Sequence, residues 1–190
     1  MNNSGRDKFK KNKKFIFLMS RLFSLLGIKI NRVLFDFFRN TDGKLGLLLR
    51  YIFLKNISKN IGDNVSIQPG VYLFNTNNLT IGNNVSIHPM CYIDAEGGIF
   101  ISDNVSIAHS SSLISANHTW KNKDLPIKYN ELDLSSIYIN QDVWIGCGVR
   151  ILAGVTISRR SVVAAGAVVN KSFSENSLIG GVPSKIIKSI

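Results

Sequence analysis

Aliphatic residues recur at every sixth position over most of this chain. The first run is Ile61, Ile67, Leu73, then Ile81, Ile87, Ile93, then Ile101, Ile107, Leu113. After an interruption the period returns at Ile139, Ile145, Ile151, Ile157, Val163 and Val169. A period of six fits neither an α-helix, with 3.6 residues per turn, nor a single strand with alternating side chains. It predicts short β-segments joined by corners, with the aliphatic residues filling the interior.

A near-identical phrase marks successive units of this pattern. IGDNVSI, IGNNVSI and ISDNVSI occupy 61–67, 81–87 and 101–107, so their starts are 20 residues apart. Such self-similarity is typical of a stacked repeat, whereas a β-sandwich of short strands would not repeat residue identities at fixed places. Three sixes close a triangular coil of 18 residues. We assign the two extra residues of the early coils to Asn77-Asn78 and Gly97-Gly98.

The predicted corners carry residues that are small or that tolerate left-handed backbone. They are Gly62, Asn64, Gly82, Asn84, Gly146, Gly154 and Gly166.

The positive charge is confined to one part of the chain. The net charge is +11, but residues 1–60 hold 14 Lys/Arg and 3 Asp/Glu, while residues 61–190 hold 9 of each. The repeat region is therefore neutral, and nothing supports nucleic-acid binding by it. A hydrophobic content of 45% in 190 residues predicts one domain with a substantial core. Only two cysteines, Cys91 and Cys147, are present, which favours the reducing cytoplasm.

In the N-terminal third, the spacing of apolar residues predicts helices and not repeats. We expect residues 1–14 to be a disordered basic arm and residues 15–60 to be helical. No signal-peptide cleavage pattern follows the apolar block, which is too short and charged to span a bilayer. Helices over 44–59 would cap the open end of the first coil. For 8–38, capping competes with peripheral contact of the basic N-terminus with an anionic inner membrane surface.

The six-residue rhythm fails after Leu113 and resumes at Ile137, which predicts a loop over 119–136. Excursions of this size from a repeat stack are usually functional, because a solenoid tolerates insertions at its corners.

These features together resemble the hexapeptide-repeat acyltransferases. The C-terminal run DVWIGCGVRILAGVTISRRSVVAAGAVVNKSF over 142–173 carries the likeness most strongly, and GGVPSKIIKSI follows it. The chain looks like the maltose and galactoside O-acetyltransferases, and most like the bacterial capsular or O-antigen polysaccharide branch. The resemblance implies an all-β repeat fold, a left-handed parallel β-helix, which is an exception to the right-handed crossover rule. We assign the β-helix to 61–182 and expect a short C-terminal cap helix over 183–190.

The resemblance implies that His118, at the root of the loop, is the general base. Neutral imidazole, with a pKa of about 6.5, can take a proton from an attacking hydroxyl. Two other histidines compete: His88 has the pattern of an exposed turn residue, and His109 could line the cleft. Asp94 and Asn117 match positions that hold the acceptor, although each could instead serve a local turn.

The resemblance also implies that acetyl-CoA binds between neighbouring subunits of a homotrimer. The backbone amides of Cys147 and Ala165 would meet the pantetheine arm, and the amide of Cys147 would stabilise the thioester oxyanion. The side chains implied in cofactor binding are Trp144 beside the pantetheine, Asn170 and Lys171 at the phosphates, and Lys185 and Lys188 at the 3′-phosphate.

The function expected from this resemblance is acetyl transfer to a sugar hydroxyl of a bacterial surface polysaccharide or its precursor, with no metal required. The location expected is the cytoplasm, at the cytoplasmic membrane face if residues 8–38 bind membrane and do not cap the β-helix. An N-acetyltransferase of an amino sugar shares the cleft but uses an attacking amine. A γ-class carbonic anhydrase shares the β-helix but needs three histidines on one zinc. A non-catalytic scaffold would not bind CoA.

Overall fold

Three helices form the N-terminal part of the computed structural model, which describes residues 5–190. They are α1 (Gly5–Ser24), α2 (Gly27–Phe37) and α3 (Gly43–Ile57). Helices α1 and α2 both pack on α3, which in turn contacts the first coil of the repeat region. Its buried residues Tyr51 to Leu54 and Ile57 close the open end of the aliphatic core. Helix α3 therefore performs the capping predicted for 44–59.

Helix α1 starts within the segment that we predicted to be disordered. Residues 1–4 lie outside the described residues, but residues 5–14 are helical. Two contacts hold this end of the helix against the rest of the protein. The ring of Phe9 meets Tyr51 edge to face at 5.5 Å between centroids, and Lys13 pairs with Asp63 of the first coil. The disorder prediction was wrong for 5–14 because lysine-rich composition hid this anchoring.

Three parallel sheets form the faces of a prism. Sheet 1 contains β1 (Asn60–Ile61), β4 (Leu79–Ile81), β7 (Ile99–Ile101), β12 (Ile137–Ile139) and β15 (Thr156–Ile157). Sheet 2 contains β2 (Ser66–Ile67), β5 (Ser86–Ile87), β8 (Ser106–Ile107), β13 (Trp144–Ile145), β16 (Val162–Val163), β18 (Ser177–Gly180) and β19 (Lys185–Ser189). Sheet 3 contains β3 (Tyr72–Phe74), β6 (Tyr92–Asp94), β9 (Ser112–Ile114), β14 (Arg150–Ile151) and β17 (Val168–Val169). We name each corner by the two sheets that it joins.

The strand registers confirm both predicted coil lengths. Ile61 pairs with Ile81, 20 residues on, whereas Ile139 pairs with Ile157, 18 residues on. The extra residues lie at the 3–1 corner, where Thr76–Asn78 form a 3₁₀ turn and Gly98 has a φ of +93°. Every aliphatic residue of the predicted six-residue column is buried. The hydrophobic effect on this single column therefore sets the register of all three sheets.

The 1–2 corners are stabilised by a ladder of asparagines. Asn64, Asn84 and Asn104 have φ values of 54°, 55° and 58°, a left-handed conformation that asparagine tolerates. The side-chain amide of Asn64 donates to that of Asn84 at 3.0 Å, and Asn84 donates to Asn104 at 3.1 Å. Asparagine recurs in the NVSI phrase because it tolerates the left-handed backbone of the corner and because its side chain bonds to the asparagine of the next coil.

One buried arginine ties the helices to the first coil. Arg50 of α3 is fully buried. Its Nε donates to the carbonyl oxygen of Ile67 at 2.8 Å, and its Nη1 donates to those of Phe38 at 3.0 Å and Thr41 at 2.6 Å. Burial lowers the pKa of this guanidinium, while Asp42 opposes that change. Arg50 therefore satisfies the carbonyl oxygens of Thr41 and Ile67, which accept from no backbone amide among the described residues, and adds a second donor to that of Phe38.

The C-terminal segment is a strand, which corrects our prediction of a cap helix over 183–190. The chain reverses after β18, and β19 pairs with it antiparallel, with Gly180 opposite Lys185 and Leu178 opposite Lys188. Strand β18 would otherwise expose an unpaired edge at the end of sheet 2. A β-strand can satisfy those backbone groups, and a helix cannot.

Candidate active site

A β-hairpin carries the predicted catalytic histidine out of the prism. After β9 the chain forms β10 (Ala116–His118), which pairs antiparallel with β11 (Leu132–Leu134). His118 lies opposite Leu132, and the hydroxyl of Thr119 donates to the carbonyl oxygen of Glu131 at 2.7 Å. The root of the loop is thus a short two-stranded sheet, which fixes where the imidazole leaves the 3–1 corner.

Asn130 organises the tip of the same loop. It is only 8% exposed. Its Oδ1 accepts a hydrogen bond from the backbone amide of Asn122 at 2.9 Å. Its Nδ2 donates to the carbonyl oxygens of Asn122, Leu125 and Pro126 at 3.2–3.3 Å. Because one side chain bridges both halves of the loop, this excursion has a defined shape of its own.

His118 opens into a cavity of about 520 Å³ at the hairpin root. The cavity is lined by Asn117, His118, Thr119, Trp120, Lys121 and Asp133. His118 and Asn117 are both exposed, which their predicted roles in proton removal and sugar binding require. Our sequence interpretation missed Trp120 and Asp133. Trp120 could have been found from its distance of two residues from His118, but Asp133 is brought opposite Asn117 only by the hairpin pairing.

Asp94 does not line this cavity, although it lies one coil away from the root of the loop. It ends β6, where it pairs with Ile114, the last residue of β9. Its carboxylate accepts a hydrogen bond from the side-chain amide of Asn75 at 2.8 Å. Its carbonyl oxygen accepts from both the backbone amide and the hydroxyl of Ser115. The structure therefore gives Asp94 local partners at the 3–1 corner.

The predicted cofactor amides lie at the 2–3 corner. The backbone amide of Gly166 donates to the carbonyl oxygen of Cys147 at 2.8 Å, which stacks one corner on the next. Within residues 5–190, the backbone amides of Cys147 and Ala165 donate no hydrogen bond. Two amide donors in neighbouring coils are thus available to a ligand that extends along the stack.

Gly146 permits this close stacking. A Cβ at position 146 would lie 2.7 Å from the amide nitrogen of Ala165 and 2.8 Å from the carbonyl oxygen of Val163. We expect Gly146→Ala to lower the free energy of unfolding by about 1–3 kcal/mol, because the added methyl must push two coils apart. Chemical denaturation measures this change.

Gly148→Asn is the matched control at the same corner. Gly148 has a φ of +67°, but no atom lies within 4 Å of a Cβ built there. Met90 and Ser110 adopt similar positive φ values in earlier coils. The control should change stability by less than about 1 kcal/mol. Equal losses of stability in both variants would contradict the role given to coil spacing, because a side chain at position 148 meets open space.

The remaining predicted cofactor residues lie on other parts of the surface. Trp144 is 54% exposed on sheet 2, where β19 also carries the exposed Lys185 and Lys188. Asn170 and Lys171 are exposed after β17, at the 3–1 corner. Strands of sheet 3 separate the 2–3 corner from the 3–1 corner that carries His118. One chain therefore does not bring its predicted base and predicted oxyanion donor into one cavity.

Comparisons with known proteins place this architecture in a family. No protein-family model matches the chain. A hexapeptide-repeat-containing acetyltransferase of Vibrio cholerae O1 biovar eltor, solved with acetyl coenzyme A, superposes with a TM-score of 0.75 and 29% identity over 84% of each chain. Galactoside O-acetyltransferase of Escherichia coli (strain K12) is 33% identical over 141 residues, which are 74% of this chain and 68% of that protein. The chain belongs to the hexapeptide-repeat acetyltransferases.

The fold is accordingly the left-handed parallel β-helix of hexapeptide-repeat acetyltransferases, as the resemblance implied. A third relative extends the comparison to surface glycans. WbbJ of Escherichia coli (strain K12), which is named for lipopolysaccharide biosynthesis O-acetyl transfer, is 36% identical over 80 residues. That match covers 42% of this chain, and this chain spans only 41% of the length of WbbJ.

Proposed function

We propose that this protein transfers an acetyl group from acetyl-CoA to a sugar hydroxyl of a bacterial surface polysaccharide or its precursor. One observation carries the proposal: in a hexapeptide-repeat acetyltransferase fold, an exposed histidine opens into a cavity at the root of an ordered loop. The partial likeness to the lipopolysaccharide biosynthesis relative supports a surface glycan as the acceptor.

The proposed reaction needs no covalent acyl-enzyme. His118 removes the proton of the acceptor hydroxyl while its oxygen bonds to the acetyl carbonyl carbon. The unpaired amide of Cys147 donates to the carbonyl oxygen as negative charge develops there. The C–S bond then breaks, and the CoA thiolate leaves with the proton carried by the imidazolium. Trp120 and Asp133 face the same cavity and are placed to contact the sugar.

A second copy of the chain completes this site. His118 extends from the 3–1 corner, and Cys147 and Ala165 lie at the 2–3 corner. Packing three prisms around a threefold axis would place the 2–3 corner of one copy beside the 3–1 corner of the next. The exposed apolar residues of the loop supply surface for such an interface, and they include Ile127 at 60% and Tyr129 at 68%. The proposal therefore requires a homotrimer with three equivalent clefts.

The test is acetyl-CoA turnover with a panel of nucleotide sugars, lipid-linked oligosaccharides and free glycans. The proposal expects an acetyl ester on a sugar oxygen, seen as a gain of one acetyl mass that mild alkali removes. An alkali-stable amide on an amino sugar would favour an N-acetyltransferase. No CoA binding at all would favour a scaffold.

Selective alkylation tests the cofactor position independently of turnover. Burial raises the pKa of the Cys91 thiol, whereas Cys147 is partly exposed at the 2–3 corner. Because the thiolate is the nucleophile, we expect iodoacetamide to modify Cys147 first and Cys91 only after unfolding. Saturating acetyl-CoA should slow modification of Cys147, as measured by peptide mass spectrometry. Unchanged labelling with bound cofactor would exclude the 2–3 corner as its site.

A further inference from the structure

The outer surface of the helical layer carries apolar residues that the β-helix does not use. In α1 the buried residues Ile16 and Ser20 face α3, while Leu18 and Leu22 are 57% and 51% exposed. Leu18 follows Ile16 by two residues, and Leu22 follows Ser20 by two. Because two residues turn a helix by about 200°, both leucines point away from α3. Phe15 lies on the same outward side and is 54% exposed.

Helix α2 repeats this arrangement. Its buried residues are Asn31 and Phe35, and Val33 and Phe37 lie two residues beyond them with exposures of 65% and 78%. The turn between α1 and α2 adds Leu25, which is 82% exposed. Both helices therefore present an apolar stripe to solvent. Since α3 already caps the core, capping does not explain these outward faces.

Basic side chains share the outward face of α1. Lys11 and Lys14 precede Leu18 by seven and four residues, which places them on the same side of the helix. Both are exposed, in contrast to Lys13, which turns inward to Asp63. Arg21 and Lys29 are also exposed at the far end of α1 and in α2. Part of the positive charge of the first 60 residues therefore lies beside the exposed apolar stripes.

We propose that the outward faces of α1 and α2 bind the surface of an anionic phospholipid bilayer. Phe15, Leu18, Leu22, Val33 and Phe37 would enter the boundary between headgroups and acyl chains, while the lysines contact lipid phosphates. Within residues 5–190 no helix is long and apolar enough to cross a bilayer, so the contact lies in the plane of the membrane. The basic charge favours this partner over a second copy of the chain, whose helices carry the same positive charge.

Sedimentation with vesicles tests the inference on the full-length protein without any substrate, so the outcome does not depend on the proposed function. Vesicles of phosphatidylcholine alone are compared with vesicles that contain about 30% phosphatidylglycerol, a fraction that gives a negative surface. We expect binding to the anionic vesicles only, weakened at high salt because salt screens the lysine contacts.

Two double variants separate the contributions of the stripes and the lysines. Leu22→Glu with Phe37→Glu places one charge on each apolar stripe, and Lys11→Glu with Lys14→Glu reverses the basic flank. Each should weaken vesicle binding by about tenfold or more. Circular dichroism and the melting temperature establish that the exposed substitutions leave the fold intact. Ile190→Glu is the matched control, since this residue is 48% exposed but lies after β19 in the last coil and not in the helices.

Three results would overturn the inference. The first is no sedimentation of the unmodified protein with anionic vesicles. The second is equal binding by the Leu22/Phe37 double variant and the unmodified protein. The third is a smaller oligomer for the Leu22/Phe37 double variant, measured by light scattering, when the unmodified protein does not bind vesicles. That result would make the outward face a contact between protein copies.

Discussion

Replacing His118 with alanine should lower kcat by about 10²–10⁴, the range expected when a general base is lost. The imidazole is exposed in the cavity at the hairpin root, and no backbone partner depends on it among the described residues. The substitution should therefore leave the melting temperature unchanged. Acetyl-CoA should still bind, because its predicted contacts, at the 2–3 corner, on sheet 2 and after β17, do not include the imidazole of His118. Steady-state kinetics and calorimetric titration measure the two effects separately.

His88→Ala is the control for this experiment. His88 is exposed in the 2–3 corner between β5 and β6, outside the cavity of His118. We expect the kcat of the His88→Ala variant to stay within about twofold of the kcat of the unmodified enzyme, as for most surface substitutions. His109, in the 2–3 corner between β8 and β9, is the other candidate base. If His109→Ala lost the turnover and His118→Ala kept it, the assignment of the base would be wrong.

Replacing Arg50 with methionine should produce the largest loss of stability among the substitutions considered. Methionine fills the space but leaves the carbonyl oxygens of Ile67 and Thr41 without a donor, whereas that of Phe38 still accepts from the backbone amide of Thr41. Each unpaired buried group costs about 1–3 kcal/mol, so the total loss should be on the order of 3 kcal/mol or more. A chain of this size should then melt about 6–12 °C lower. Differential scanning calorimetry measures the change.

Lys44→Met on the same helix is the matched control. Lys44 is exposed in the first turn of α3, so its replacement should shift the free energy of unfolding by less than about 0.5 kcal/mol. Arg50→Lys should rescue only part of the loss, because an ammonium cannot reproduce the planar fork of donors. A melting temperature of Arg50→Met equal to that of Lys44→Met would contradict the role given to this arginine.

The repeat region could be predicted in detail because one physical requirement recurs in every coil. An aliphatic residue such as Ile87 must fill the prism at each sixth position, and Asn84 must turn the corner before it. Both requirements act on single residues at fixed spacing, so they are visible in sequence. The two-residue difference between early and late coils was visible for the same reason.

The two ends of the chain could not be predicted in the same way. Residues 5–14 have the composition of a disordered arm. They fold because Phe9 reaches Tyr51 and Lys13 reaches Asp63, partners that are distant in the sequence. Residues 185–189 become a strand because the preceding strand has an open edge. Both outcomes depend on tertiary partners, and local composition does not encode them.

The sequence predicts individual candidate residues for the site but not how they are arranged. Motif position identified His118 and Cys147 as candidates, and the structure places them at different corners of the prism. Any meeting of the two would depend on how copies of the chain pack, which a repeat pattern within one chain cannot specify. Asp133 entered the cavity only through the pairing of β10 with β11.

A crystal structure with acetyl-CoA tests most directly whether separate corners of adjacent copies build one reaction centre. The thioester carbonyl should lie within hydrogen-bond distance of the Cys147 amide of one copy. The imidazole of His118 from a neighbouring copy should face the same carbonyl carbon, close enough for an acceptor oxygen to fit between them, about 3–3.5 Å from the carbon. A thioester bound far from every His118 ring in the assembly would contradict a shared reaction centre.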